Sequence, residues 1–330
     1  MNLQSPFTNS QLRRALGYAL SLIILFFLAR VLAQTWNDFA ATNFRFTFDG
    51  ARVIVSLAML VVARVFAVEA WRRIIIALGD ALPFTFAMRV WFVSNLARYV
   101  PGNIWQVAAM MTMVNAKGVS KTNALLSQII YTAIALSISG LLGIFFVVFQ
   151  PQVLQGLVSI SPSPLNNYLP ALAASAFSAL IVALALPQMF RLIIRVAAKI
   201  SRRDLSAPPT TFARGLVPPL FSSAMWLTNG VAFYLFVSAI ADLSLAQLPA
   251  FIAINAGAYW IGYLSFITPS GLGFREGALA FMLAVYFPTP IAVALSLLAR
   301  LWSTAGELLG VILIWSRPVR QVQAVTEKSR

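Results

Sequence analysis

Two stretches of the chain, SNLARYVPGN at residues 94–103 and GYLSFITPSG at residues 262–271, decide the predicted fold. Each stretch continues a hydrophobic helix until a proline interrupts it, and apolar sequence resumes after the proline. Pro101 and Pro269 are 168 positions apart in a chain of 330 residues, so the two breaks occupy corresponding places in its two halves. Interrupted hydrophobic segments at corresponding places are typical of the transport site in secondary transporters.

The composition predicts the environment of the protein. The chain is 60% hydrophobic and only 10% charged, whereas a soluble domain carries about 25% charged residues. Several apolar runs approach or exceed the roughly 20 residues that a helix needs to cross a bilayer, and they lack the alternation of barrel strands. We therefore predict an all-α polytopic integral membrane protein that forms a single membrane domain over residues 1–330.

Several function classes are excluded by residue types that the chain lacks. It contains no cysteine and no histidine, which excludes thiolate metal sites and histidine-based acid–base chemistry, and we expect no cofactor. The net charge of +15 does not indicate nucleic-acid binding, since that would need a basic face on a soluble domain. The basic residues instead fall between apolar runs, where they set membrane topology.

The basic residues predict which ends of the spans are cytoplasmic. The predicted spans are residues 15–33, 53–71, 122–149, 168–186, 216–240 and 291–315. Of the lysine and arginine residues, only Arg45 and Arg52 fall in predicted outer loops. Both termini, the basic linker 188–214 and the tail 317–330 are then cytoplasmic, in a bacterial cytoplasmic membrane. The first run resembles a signal peptide, but its length and Arg30 favour a retained helix.

Two further segments begin and end on the same side of the membrane. Residues 84–116 and 245–287 are too short for two full crossings, so we predict re-entrant helical hairpins with tips at Pro101 and Pro269. Each half, about 13–149 and about 168–316, then contains three spans and one hairpin. Because three crossings is an odd number, the second half is an inverted repeat of the first. Leu-Leu-Gly at 141–143 and again at 308–310 supports this register. In a sequence so rich in apolar residues, however, this short motif also recurs by chance.

Charged residues in apolar sequence are costly and predict the functional site. Arg98 precedes the first break, and the backbone around Gly102 and Asn103 opens a new half-helix, whose N-terminus attracts anions. This arrangement predicts a phosphate site. The alternative is that Arg98 only caps the carbonyl groups that end the preceding half-helix.

The second break is followed by a glycine-rich stretch with charges of both signs. Gly271 and Gly273 allow tight turns, and the candidate charged residues are Arg275, Glu276, Arg300 and Glu307. These residues either complete the anion site, or neutralise one another as Glu276–Arg300 and Arg275–Glu307 pairs. For Arg30, Arg64 and Glu69 we expect mainly structural roles, because Arg30 and Glu69 lie near span ends and Arg64 is five residues from Glu69, a poor spacing for a helical ion pair.

The residues around both breaks resemble a known family. LARYVPGNIW at 96–105, KGVS at 117–120 and PSGLGFREG at 269–277 are similar to the membrane region of lysylphosphatidylglycerol synthases, and the resemblance covers about 13–315. It implies a role in moving a phospholipid or a lipid-linked intermediate between leaflets. The full-length synthases add a soluble aminoacyl-transfer domain, and since this chain ends at Arg330 we do not expect that activity.

These observations favour a lipid translocase whose partner is a membrane lipid with an anionic or phosphate headgroup. One alternative is a membrane enzyme that assembles glycans on polyprenyl phosphate. Such an enzyme usually needs a carboxylate as base or metal ligand, and the outer loop offers only Asp38 and Asp49, with no acidic pair. Enzymatic activity is therefore not expected. The other alternative is a non-catalytic partner of a lipid-modifying membrane enzyme. The sequence carries no signal for an oligomeric state.

Overall fold

The computed structural model describes residues 46–97, 105–149, 212–264 and 273–315, together with Phe26, Arg30 and Phe44. Within these ranges the chain forms α-helices joined by short turns and contains no strand, which confirms the predicted all-α class. Most of the predicted span 15–33, the whole span 168–186, most of the basic linker and the tail 317–330 lie outside the described residues.

The described helices fall into two sets with the same order of lengths. The first half contains α1 (Gly50–Ala77), α2 (Phe84–Leu96), α3 (Trp105–Asn115) and α4 (Lys121–Phe149). The second half contains α5 (Phe212–Ser238), α6 (Leu248–Leu264), α7 (Phe274–Leu283) and α8 (Thr289–Trp315). In each half the described helices follow the order long, short, short, long.

The four long helices are α1, α4, α5 and α8, and each is long and apolar enough to cross a membrane. They confirm the predicted spans 53–71, 122–149, 216–240 and 291–315, with shifted ends. α1 is longer than predicted because Asp49 caps its start, where the carboxylate accepts a hydrogen bond from the Arg52 amide at 3.1 Å. At its other end the chain turns at Gly79, whose φ of 97° favours glycine.

The short helices flank the two predicted breaks. α2 has 13 residues and α7 has 10, so at 1.5 Å per residue they extend about 20 Å and 15 Å, less than the roughly 30 Å of a hydrocarbon core. α2 packs against α3, and α6 packs against α7. The connections at 98–104 and 265–272, which contain Pro101 and Pro269, lie outside the described residues, so re-entry at these points stays a prediction.

Contacts between the long helices define their relative directions. Asp49 and Arg52, at the start of α1, bond to the carbonyl groups of Ala239 and Ser238, at the end of α5, both at 2.9 Å. Since α1 and α5 also pack against each other more extensively than any other described pair, they run antiparallel.

The other two long helices also run in opposite directions. The Trp71 indole donates to the Ser127 hydroxyl at 3.0 Å, and the Asn123 amide donates to the Leu78 carbonyl at 3.2 Å, so α4 is antiparallel to α1. The Trp302 indole donates to Ser56 at 3.1 Å, and further along both helices Arg64 meets Glu307, so α8 is parallel to α1. The pair α1 and α5 and the pair α4 and α8 are therefore both antiparallel.

The helices of one half cross those of the other at glycines. A Cβ added at Gly143 on α4 would lie 2.9 Å from the Cα of Gly257 on α6. At the corresponding crossing of α8 and α2, a Cβ at Gly310 would overlap the ring of Phe92. Gly143 and Gly310 are the glycines of the two Leu-Leu-Gly motifs, and each lies where a helix of one half packs closely against a helix of the other, Gly143 against backbone and Gly310 against a side chain.

Two apolar clusters fill the interior. One is built mainly from the first half around Trp71, Trp91 and Ile130, and the other mainly from the second half around Phe233 and Phe251. Each cluster also includes residues from the opposite half, so the two halves share their cores. The charged residues of the candidate site lie where these halves meet.

We expect Gly143→Ala to destabilise the protein by about 1–3 kcal/mol, because the added methyl group meets helix backbone, which cannot turn aside. Gly277→Ala on α7 is the matched control, since its Cβ would have no atom within 4 Å and alanine favours a helix over glycine. Thermal unfolding of the purified protein in detergent measures both changes. An unchanged unfolding temperature for Gly143→Ala would contradict the close crossing of α4 and α6.

Candidate functional site

The second predicted motif forms a capped helix start. Gly273 has a φ of 87°, which favours glycine, and α7 begins at the next residue. The Glu276 carboxylate turns back to accept a hydrogen bond from the Gly273 amide at 2.6 Å. An acidic group in this position also interacts favourably with the positive end of the helix dipole. Glu276 therefore fixes the start of α7, and Gly271 lies outside the described residues.

The second oxygen of Glu276 binds an arginine of the last span. The Arg300 Nη1 atom on α8 lies 3.3 Å from Glu276 Oε1, and only 3% of the Glu276 side chain is exposed. This contact confirms the Glu276–Arg300 pair considered from the sequence. Because the same carboxylate holds the Gly273 amide and the Arg300 guanidinium, it joins the start of α7 to α8.

Glu307, two turns further along α8, binds an arginine of the first half. Its carboxylate lies 3.5 Å from Arg64 Nη2 on α1, and both side chains are largely buried. The Arg64 Nε atom is buried and has no hydrogen-bond partner among the described residues. Arg64 therefore lies in the charged cluster, where its partner is Glu307 rather than Glu69.

Arg275 lies among these charges without a carboxylate of the described residues at salt-bridge distance. Its stem packs against α6 at Gly262, where an added Cβ would be 2.6 Å from Arg275 Cβ. The guanidinium interacts electrostatically with Glu276, Arg300, Arg64 and Tyr259. The sequence places Arg275 beside Glu276, but the Glu276 side chain is directed to Gly273 and Arg300 instead.

The described cluster contains more positive than negative charge. Arg64, Arg275 and Arg300 face Glu276 and Glu307, so three guanidinium groups are balanced by two carboxylates. Charges inside a membrane are costly unless they are paired, and an uncompensated buried charge is the costliest case. The arrangement therefore favours a ligand that supplies negative charge.

Other polar residues inside the helix bundle contact neighbouring helices. The Gln106 amide on α3 donates to Asn95 on α2 at 3.0 Å, and Asn255 on α6 donates to Asn229 on α5 at 3.0 Å. Tyr131 is buried and meets the edge of Trp91, with ring centroids 5.0 Å apart. These contacts join helices in the way common for polar residues inside membranes.

The remaining sequence candidates lie away from the cluster or outside the described residues. Glu69 is buried and binds the guanidinium groups of Arg72 and Arg73 on its own helix, away from the charged cluster. Arg30 lies on a helix and is exposed. Three residues of the first predicted anion site, Arg98, Gly102 and Asn103, lie outside the described residues. Within the described ranges no group of three Asp or Glu side chains is placed to hold a metal ion.

The Glu276–Arg300 pair predicts energetic coupling. We expect Arg300→Gln to destabilise the protein more than the double variant Glu276→Gln/Arg300→Gln, because the single change leaves a buried carboxylate without its counter-charge. The coupling free energy is expected to be about 0.5–3 kcal/mol. Unfolding of both single variants and the double variant in detergent completes the cycle, and strictly additive effects would contradict the pair.

Among known protein families, one family model matches the chain. The model of the lysylphosphatidylglycerol synthase TM region matches residues 14–310, which cover most of the chain and the whole charged cluster. Curated proteins and solved structures give no match. The family and the four long apolar helices identify an integral membrane protein with a lipid-related function. The chain belongs to the family of the lysylphosphatidylglycerol synthase transmembrane region.

Proposed function

We propose that this protein is a lipid translocase that carries the phosphate-bearing headgroup of a lipid through its charged core while the acyl tails stay in the bilayer. The observation that carries the proposal is the excess of guanidinium over carboxylate in the cluster of Arg64, Arg275, Arg300, Glu276 and Glu307. Family membership supports a lipid as the substrate.

Phosphate is the anion that best matches this cluster. A guanidinium presents several N–H donors in a plane and binds phosphate oxygens with paired hydrogen bonds. Arg275 contacts none of the described carboxylates at salt-bridge distance, and the Nε–H of Arg64 is buried without a partner. A phosphate bound here would supply the missing counter-charge and accept from donors that are already desolvated.

The first break is assigned to the same site. Arg98 and the half-helix start at Gly102 and Asn103 would approach the headgroup from the first half, and Gly271 and Gly273 would let the backbone of the second half approach it closely. This part of the proposal rests on the sequence. The described end of α2 and start of α3 flank the first break, as α6 and α7 flank the second.

The two halves are proposed to form an inverted repeat that alternates access to the site. Three features support it: the repeated order of helix lengths, the antiparallel directions of α1 and α5, and the contact of α4 with α6 that is mirrored by the contact of α8 with α2. Rocking of one half against the other would expose the site to each leaflet in turn. We place the protein in a bacterial cytoplasmic membrane with both termini in the cytoplasm.

Arg275→Gln is expected to slow translocation of a tail-labelled phosphatidylglycerol in proteoliposomes at least tenfold, because it removes the guanidinium that has no carboxylate partner among the described residues. The loss of one charged hydrogen bond to a phosphate is worth about 1.5–3 kcal/mol, and 1.4 kcal/mol corresponds to a factor of ten. The measurement is bleaching of the labelled lipid by a reductant outside the vesicles.

The matched control is Arg52→Gln, which removes an exposed arginine near the start of α1, outside the charged cluster. It is expected to keep the rate of the unmodified protein. Equal rates for Arg275→Gln and the unmodified protein, with both proteins folded, would remove the arginine cluster from the mechanism.

The inverted repeat predicts that the turn before α4 and the turn before α6 lie on opposite sides of the membrane. The chain has no cysteine, so single cysteines can be placed at the exposed positions Lys117 and Ala246. In intact cells we expect a membrane-impermeant maleimide to label Ala246→Cys. Lys117→Cys should be labelled only after permeabilisation. Labelling of both from the same side would rule out the inverted topology.

A further inference from the structure

The short helix α3 is packed more loosely than its counterpart α7. Two of its 11 residues, Met110 and Val114, are buried, whereas five of the 10 residues of α7 are buried. Met111 and Met113 pack against the apolar cluster of the first half and are partly buried. Methionine side chains are flexible and tolerate rearranged packing, and elements with few buried apolar contacts open most easily. These features indicate that α3 can move.

One end of α3 is anchored through the turn that joins it to α4. The chain turns at Gly118, whose φ of 87° favours glycine. Just after this glycine, the Ser120 amide donates to the Asp80 carboxylate at 3.3 Å, and the Asn123 side chain donates to the same carboxylate at 2.9 Å. Asp80 lies in the turn between α1 and α2. A fixed anchor next to a glycine at the end of a helix is the arrangement of a hinge.

The other end of α3 is joined to α2 by a side-chain hydrogen bond, which we call the latch. Gln106 Nε2 on α3 donates to Asn95 Oδ1 on α2 at 3.0 Å, and the Asn95 amide donates in turn to the Trp91 carbonyl at 2.7 Å. Both partners of the latch are neutral. Parting them leaves no uncompensated charge, unlike breaking the buried Glu276–Arg300 pair that ties α7 to α8. The latch can therefore open more easily than that ion pair.

The latch lies at the level of the charged cluster. α2 follows α1 after a short turn and packs against it, so it runs antiparallel to α1 and therefore also to α8. The two helices α2 and α8 cross where Phe92 meets Gly310. From this crossing, Asn95 lies about one turn further along α2 and Glu307 about one turn earlier along α8. Because the helices are antiparallel, both steps lead in the same direction, and Asn95 and Glu307 have about the same depth.

We propose that α3 is a lateral gate, hinged at the turn around Gly118 and closed by the latch, that opens to admit a lipid headgroup from the bilayer to the charged cluster. This inference rests on the proposed translocase function. One face of α3, with Trp105, Ala108 and Thr112, is exposed on the outside of the bundle, so the gate borders the surrounding lipid. The latch lies about 14 Å from the hinged end of α3, at 1.5 Å per residue, and a small rotation at the hinge therefore parts it.

The first test closes the latch covalently. The chain has no cysteine, so the full-length double variant Asn95→Cys/Gln106→Cys can be joined by a short bis-maleimide reagent in detergent and then reconstituted into proteoliposomes. We expect the cross-link to slow translocation of tail-labelled phosphatidylglycerol at least tenfold relative to the same variant without the reagent, because α3 can no longer separate from α2.

The matched control is a cross-link of the same length at the hinge. The side chains of Asp80 and Asn123 lie 2.9 Å apart, close to the 3.0 Å of the latch. Because this site is the anchor of the hinge and does not separate when the gate opens, cross-linked Asp80→Cys/Asn123→Cys is expected to keep the rate of its form without the reagent.

The second test weakens the latch. Gln106→Leu should raise the rate of translocation about fivefold, which corresponds to the loss of one neutral hydrogen bond of about 1 kcal/mol from the closed state. Thr112→Val removes an exposed hydroxyl that bonds within α3, and it should leave the rate unchanged. A residue that only supports the fold would have the opposite effect, so an unchanged or lower rate for Gln106→Leu would overturn the latch.

The outcomes separate the gate from the translocase proposal. If the unmodified protein moves no lipid, the translocase proposal fails and the gate fails with it. If the protein with the cross-linked latch moves lipid as fast as the same variant without the cross-link, translocation stands and the gate is wrong. If the cross-link at the hinge stops translocation as completely as the one at the latch, the effect does not depend on opening of the latch, and the gate is again wrong.

Discussion

The need to neutralise arginine side chains inside a membrane is the constraint on which the rest of the structure depends. Arg64, Arg275 and Arg300 come from different helices, and an isolated charge at such depth is strongly unfavourable. Glu276 and Glu307 offset most of this cost, and they do so by joining α1, α7 and α8. Because Glu276 also caps α7 at the Gly273 amide, the position of α7 depends on the same ion pair that balances the charge. The contacts that balance the buried charges are therefore also the contacts that position these helices.

The scaffold is more symmetric than the chemistry that it carries. α4 and α8 begin 168 residues apart, so Arg300 on α8 corresponds to Thr132 on α4. Arg275 is the second residue of α7, and the second residue of α3 is Gln106, which bonds to Asn95. At both pairs of positions the second half carries a charge and the first half a neutral hydrogen-bonding group. At these positions the second half supplies charge and the first half hydrogen-bonding groups, while Arg64 on α1 adds a further charge from the first half.

The all-α class and the four long apolar helices could be predicted from the sequence because apolar runs are local signals. Of the two ion pairs that the sequence suggested, Glu276–Arg300 is present, whereas Glu307 contacts Arg64 and no ion pair joins it to Arg275 among the described contacts. The pairing of Arg64 with Glu307 was not predictable. These residues are 243 positions apart, and nothing in the sequence states that α1 and α8 lie side by side and parallel. Glu69 is the carboxylate nearest to Arg64 in the sequence, and their spacing predicted a structural role for Arg64. In the structure Glu69 bonds instead to Arg72 and Arg73, near the end of α1.

The same carboxylates that balance the arginines also compete with any anionic substrate for them. Arg275 can accept a phosphate without breaking a described ion pair, whereas Arg300 can do so only by weakening its contact with Glu276. A phosphate that drew Arg300 away would leave Glu276 bonded to the Gly273 amide alone, and a buried carboxylate with fewer partners is less stable. The start of α7 would then be held to α8 less firmly while the site is occupied than while it is empty. Binding of an anion by Arg300 and the attachment of α7 to α8 would then be linked through the Glu276 side chain, so that a ligand could shift the equilibrium between two positions of α7.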